Sequence, residues 1–122
     1  MSAVVVQTGA FNKHLLELLK MLMTKFPEDR DISVIHSQVE TASRLTPRLT
    51  VVHFIKEVLP FTDHIESRNE AFFLQLVKNE YDDVIGYLNL PNKWQCFNDR
   101  EREFLWKNIQ NLTTLGRKIL CL

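Results

Sequence analysis

From residue 11 to residue 59, apolar side chains recur three and four positions apart rather than alternating, the spacing of helices that bury one face. Phe11, Leu15, Leu18, Leu22 and Phe26 form the longest stripe, widened by Leu16, Leu19 and Met23, and predict a first helix. It should stop at Phe26, because Pro27 disfavours helical dihedrals in the residue before it. Residues 1–9 precede the pattern and read as a flexible N-terminal segment. Asp29 or Asp31 can accept the free amides of a second helix, whose stripe is Ile32, Ile35, Val39, Ala42 and Leu45. Thr46-Pro47 supplies a cap and then proline at the first helical position, where a missing N–H does no harm. The third helix carries Val51, Val52, Phe54, Ile55, Val58 and Leu59 up to a break at Pro60. So wide an apolar face predicts a central place in the core or a second contact surface.

Ser67 and Glu70 have capping-box spacing ahead of Phe72, Phe73, Leu76 and Val77, and the period continues loosely through Tyr81, Val84, Ile85 and Leu88. Asn79 could open a second segment and Gly86 weakens its interior, so residues 70–90 read equally as one helix or two. Residues 89–97 form a connector holding Pro91 and Trp94. Asn98 and Glu101 repeat the capping-box spacing and open a last helix with stripe Leu105, Ile109, Leu112, Leu115 and Ile119. The expected architecture is all-α: one compact domain over residues 1–122, a bundle of five or six helices.

Composition narrows the chemistry. With 3 Gly in 122 residues, glycine-cradled phosphate loops are nearly excluded. Fifteen bases balance fifteen acids, which argues against a polyanion partner. Cys96 and Cys121 fit neither a disulfide framework nor a metal-ligand spacing, and read as reduced thiols in an intracellular compartment. The N-terminus lacks a basic region and a 7–15-residue apolar run, so no secretory signal is expected, and no apolar stretch reaches the roughly 20 residues of a membrane span.

No reaction centre emerges. His14, His36, His53 and His64 fall on separate elements with no ligand pair among them, so neither metal nor cofactor is expected. Cys96 has no local catalytic signature, and Trp94 and Phe97 beside it would bury its thiol and oppose thiolate formation. The acids Glu28, Asp29 and Asp31, and again Asp99, Glu101 and Glu103, stand at helix starts, where negative charge complements the macrodipole. From Phe104 to the end there is no acid, and Arg100, Lys107, Arg117 and Lys118 could touch nucleic acid. Useful non-specific affinity takes about six or more phosphate contacts, so the solvated face is the default. Trp94, Phe97, Phe104 and Trp106 flank the last helix and either lid the core or anchor a protein partner.

Five segments carry a likeness to known proteins: Phe11-Asn12 with Leu15-Leu16, Phe26-Pro27-x-Asp29-x-Asp31, Val58-Leu59-Pro60, Asn69-Glu70-Ala71-Phe72-Phe73-Leu74, and Leu105-Trp106-Lys107-Asn108-Ile109-Gln110-Asn111-Leu112. From Phe11 to Ile119 the chain resembles small, mostly uncharacterised helical proteins of nucleocytoplasmic large DNA viruses. The shared motifs are structural punctuation and transfer no catalytic residue. What the resemblance implies is a setting, the cytoplasm of an infected host cell and the virion. The reading that follows is a non-enzymatic protein that binds virion proteins or itself, as a small structural or minor capsid-associated component. The alternatives are a nucleic-acid-associated factor and a regulator that binds a host protein.

Overall fold

The computed structural model describes residues 2–75 and 90–122. Helix α1 runs Ala3–Lys25, α2 Arg30–Leu45 and α3 Pro47–Val58, followed by a 3₁₀ turn at Leu59–Phe61. Next come the short helices α4 (Thr62–Glu66), α5 (Glu70–Gln75) and α6 (Leu90–Lys93), a 3₁₀ turn at Trp94–Cys96, and the long α7 (Asp99–Ile119). No strand occurs among the described residues, and the expected all-α architecture holds.

The local signals are used as chemistry dictates, with several corrections. Helix α1 begins at Ala3, so most of the segment expected to precede it is helical. The Ser2 hydroxyl accepts from the Val5 N–H and supplies the cap, and the helix runs through the β-branched Val4-Val5-Val6. Phe26 leaves the helix at φ −124°, ψ 68°, as the residue before a proline must. Asp29, not Asp31, caps α2, accepting from the amides of Asp31 and Ile32. Pro47 takes the first position of α3 as expected, but Thr46 makes no cap bond; its hydroxyl donates back to the Ala42 carbonyl. Pro60 does not stop helical structure, because it sits in the first turn of the 3₁₀ segment that leads into α4.

Ser67 is not the cap of α5. It ends α4, and Asn69 caps α5 by accepting from the Phe72 N–H at 3.1 Å. Between them Arg68 adopts φ 52°, while Arg68 N–H donates to the Ile65 carbonyl and Asn69 N–H to that of His64. This paired closure usually recruits glycine. Here Arg68 tolerates it because its guanidinium pairs with Glu103 and donates to Gln110 of α7. Gln110 in turn donates to the carbonyls of Ile65 and Glu66, so two side chains tie α4 to α7. The connector expected at 89–97 contains α6 and a 3₁₀ turn, and at Asn98 and Glu101 the reciprocal capping box forms as read, at 2.8 and 2.9 Å. Asn79, Gly86 and the question of one helix or two lie outside the described residues.

Helices α1 and α7 run antiparallel, with Lys25 at the end of one paired at 2.9 Å to Glu101 at the start of the other. Helices α2 and α3 pack beside them around a single core centred on Phe11, Leu22, Ile32, Val51, Ile55 and Leu112. The stripes are buried mainly at their centres: Leu45 is 75% exposed, and Val52 and Leu59 also face solvent.

Candidate functional site

Helix α3 contacts the rest of the protein on two sides. Val51, Ile55 and Val58 enter the core, while Leu49, His53, Phe54 and Glu57 line an open apolar groove of about 360 Å³. The groove's other walls follow from helical spacing. Leu15, Leu18 and Leu19 come from α1, and Ile35, Val39 and Ala42, four and three residues apart, come from α2. The 3₁₀ turn and the Arg68 closure bring Phe61, Ile65, Phe72 and Phe73 over the opposite side, with Trp106 and Ile109 of α7 behind.

The polar residues in the lining are Gln38, Thr50, His53, Glu57, His64 and Asn69. Asn69 is oriented unambiguously: its Oδ1 accepts from the Phe72 N–H, so its Nδ2 donates to His64 Nδ1 at 3.1 Å. Neutral His64 therefore carries its hydrogen on Nε2. The ring is also held flat on Phe72, with centroids 3.7 Å apart and planes 6° from parallel. No lysine or arginine lines the groove, and Glu57 is its one lining carboxylate among the described residues. The site is an apolar container with a fixed imidazole at its edge.

The four aromatics weighed as partner anchors divide unequally. Trp94 (2% exposed), Phe97 and Trp106 are inside the monomer, and only Phe104, 37% exposed, reaches solvent. Trp94 packs edge-on to Trp106 and Phe73 at centroid distances of 5.7 and 5.2 Å, with the Arg102 guanidinium 5.3 Å over its ring. Lys93 lies over Phe26 and pairs with Asp29 at 2.8 Å, while Lys25 lies over Phe97. Trp94, Phe97 and Trp106 thus pack within the monomer and lid its core, and of the four only Phe104 is presented to solvent. Cys96, expected to be buried by its aromatic neighbours, is exposed because its short 3₁₀ turn directs Trp94 inward and Cys96 outward; both cysteines are free.

Of the basic residues, Arg100, Lys107 and Lys118 are exposed on α7, while Arg117 is half-buried and its Nε has no partner. Three charged carboxyls are held below their ordinary values. The Lys93 hydrogen bond lowers Asp29, the Asn98 N–H and then Lys25 lower Glu101, and Arg68 lowers Glu103. All three are structural, at helix starts and inter-helix ties. No group of three or more His, Cys, Asp or Glu that could hold a metal ion occurs among the described residues.

Sequence reasoning did not assemble the groove, because His53, His64, Asn69 and Phe72 belong to three elements whose meeting no local pattern encodes. The excess width of the apolar face of helix 3 was its one visible sign. Among the described residues no helix is long and apolar enough to cross a membrane. No family model, curated protein or solved structure matches the chain.

Proposed function

We propose that the protein works by binding other proteins through the outer arc of α3, as a small non-enzymatic structural component. In the setting that the resemblance to large-DNA-virus proteins implies, it is a minor capsid-associated component. The observation that carries the reading is the composition of that arc. Arg48, Val52 and Lys56 of α3, with Leu59 just past its end, all face solvent, and they fall within about 80° on a helical wheel at 100° per residue. Leu45 extends the exposed apolar surface at the neighbouring corner. Two aliphatic side chains framed by two bases, with no acid among them, match an amphipathic partner helix whose apolar residues are flanked by carboxylates.

A photo-crosslinking amino acid at position 52 should capture a discrete partner from purified particles or infected cells, and the same probe at the solvent-facing Thr114 of α7 should not. Lys56→Glu should abolish capture at position 52. Equal capture at both positions, or capture unaffected by Lys56→Glu, would sink the proposal. A partner found in the host cytosol and not in particles would move the protein to the host-directed alternative.

One observation favours the nucleic-acid reading as a second choice. Arg100, Lys107 and Lys118 fall within about 20° on α7, along roughly 27 Å of its axis. Three aligned cations predict weak, steeply salt-dependent retention on DNA or RNA, and no retention at about 50 mM salt would exclude it.

A further inference from the structure

We infer that the groove between α1, α2, α3 and α5 is a binding site for a small uncharged molecule with an apolar body and one hydrogen-bond acceptor, such as a hydroxyl or carbonyl oxygen. This goes beyond the protein-binding reading, which uses the neighbouring, solvent-facing arc of α3. Size is the first argument. At about 360 Å³ the groove falls in the range of roughly 300–1,000 Å³ typical of small-molecule sites. A protein partner would instead need a face of about 800 Å².

Lining chemistry selects the ligand class. Leucine, isoleucine, valine and aromatic rings make the walls, and water would find too few polar partners there to be held well. An anionic head group would meet no lysine or arginine among the described residues and would face Glu57. A cationic head group would lose its hydration against the same apolar walls, and Glu57 already interacts with another group. The donor the geometry fixes is His64. Asn69 occupies its Nδ1 and Phe72 holds its plane, which leaves the Nε2 hydrogen for an acceptor on the ligand. An imidazole clamped on both counts loses little freedom on binding, which favours recognition of one oxygen.

Dodecan-1-ol is a suitable probe, with dodecane, dodecanoate and dodecylamine as controls, all below their aggregation limits. Trp106 lines the groove, so its emission reports occupancy. Saturable binding of one dodecanol per chain is expected, with dodecane about three- to tenfold weaker, as one neutral hydrogen bond allows. Dodecanoate and dodecylamine should bind at least tenfold weaker still. His64→Phe, which keeps the stack on Phe72, should remove the preference for dodecanol over dodecane. Ala42→Phe fills the groove from α2 and should abolish binding while helicity and thermal midpoint are maintained; Val39→Phe serves if that variant does not fold. Absence of saturable dodecanol binding, equal affinity for the charged probes, or undiminished binding by the filled variant would each overturn the proposal. So would a wild-type dimer that dodecanol dissociates, since the natural occupant would then be a second copy. None of these results bears on crosslinking at position 52, so the two proposals fail separately.

Discussion

Asn12 of α1 and Thr50 of α3 meet inside the bundle, where the Thr50 hydroxyl reaches the Asn12 carbonyl oxygen and Asn12 Nδ2 donates to the Pro47 carbonyl at 3.1 Å. Both side chains are buried, and the contact fixes the start of α3 against the middle of α1. Asn12→Ala removes both bonds and opens a cavity, while the Thr50 hydroxyl keeps the Pro47 carbonyl as an acceptor at 2.8 Å, so it should cost about 1–2 kcal/mol. In a double-mutant cycle with Thr50→Val, the coupling measured by urea denaturation should exceed about 0.5 kcal/mol. Additive effects would show that the two side chains act independently.

Trp94 is buried among Phe73, Phe97 and Trp106, yet its indole Nε1 has no hydrogen-bond partner among the described residues. Trp94→Ala should therefore cost about 3–5 kcal/mol, as for other large core aromatics. Trp94→Phe should cost much less, because it removes a donor that has no acceptor. Since the chain's 2 tryptophans are both buried, intrinsic emission should be blue-shifted and poorly quenched by iodide. Strong quenching, or a Trp94→Ala variant as stable as wild type, would contradict the lidded core.

The glycines of α1 and α7 should respond oppositely to alanine. At Gly9 an added Cβ meets no atom within 4 Å, so Gly9→Ala should stabilise by up to about 1 kcal/mol through helix propensity. At Gly116 the same carbon would lie 2.5 and 2.7 Å from Ile55 Cδ1 and Cγ1, and 3.2 Å from Phe11. Ile55 is enclosed, so Gly116→Ala should destabilise by about 1–3 kcal/mol despite the same propensity gain. Thermal midpoints of the two variants should move in opposite directions.

Acid should weaken the fold through Asp29, Glu101 and Glu103, all held below their ordinary values. A carboxyl lowered in the folded chain binds protons more readily when unfolded. Its stabilisation is therefore complete above the ordinary 3.8 of Asp29 and 4.5 of the glutamates, and is lost as pH falls through the folded values. Asp29→Asn keeps a capping acceptor but loses the charge facing Lys93. Its urea midpoint should lie below that of wild type at pH 7, and the gap should narrow as pH falls below 3.8. Parallel profiles would rule out the Asp29–Lys93 contribution.

Much of the fold was legible because its signals are local. Helical period placed Leu15, Leu18, Leu19 and Leu22 on one face, and capping chemistry within three residues set the starts at Asp29 and Asn98. Those relations involve neighbours in the chain, whose geometry a helix fixes by itself. Two closures escaped that logic, at Arg68 and at Cys121 (φ 60°), because non-glycine residues hold conformations that sequence reading assigns to glycine.

The sequence by itself determined that this chain is helical, that helices end at Phe26 and start at Pro47 and after Asn98, and that α3 has more apolar surface than one core face needs. Only the tertiary structure decided how that surplus is divided between core, groove and solvent. It also decided that Trp94, Phe97 and Trp106 close the core, and that His64 is locked between Asn69 and Phe72 at the edge of a groove. The physical reason is range. Period and caps act over three to seven residues, whereas burial depends on which distant surfaces meet, as when Asn12 reaches Pro47 or Gln110 reaches Ile65 across 35 and 45 positions of chain.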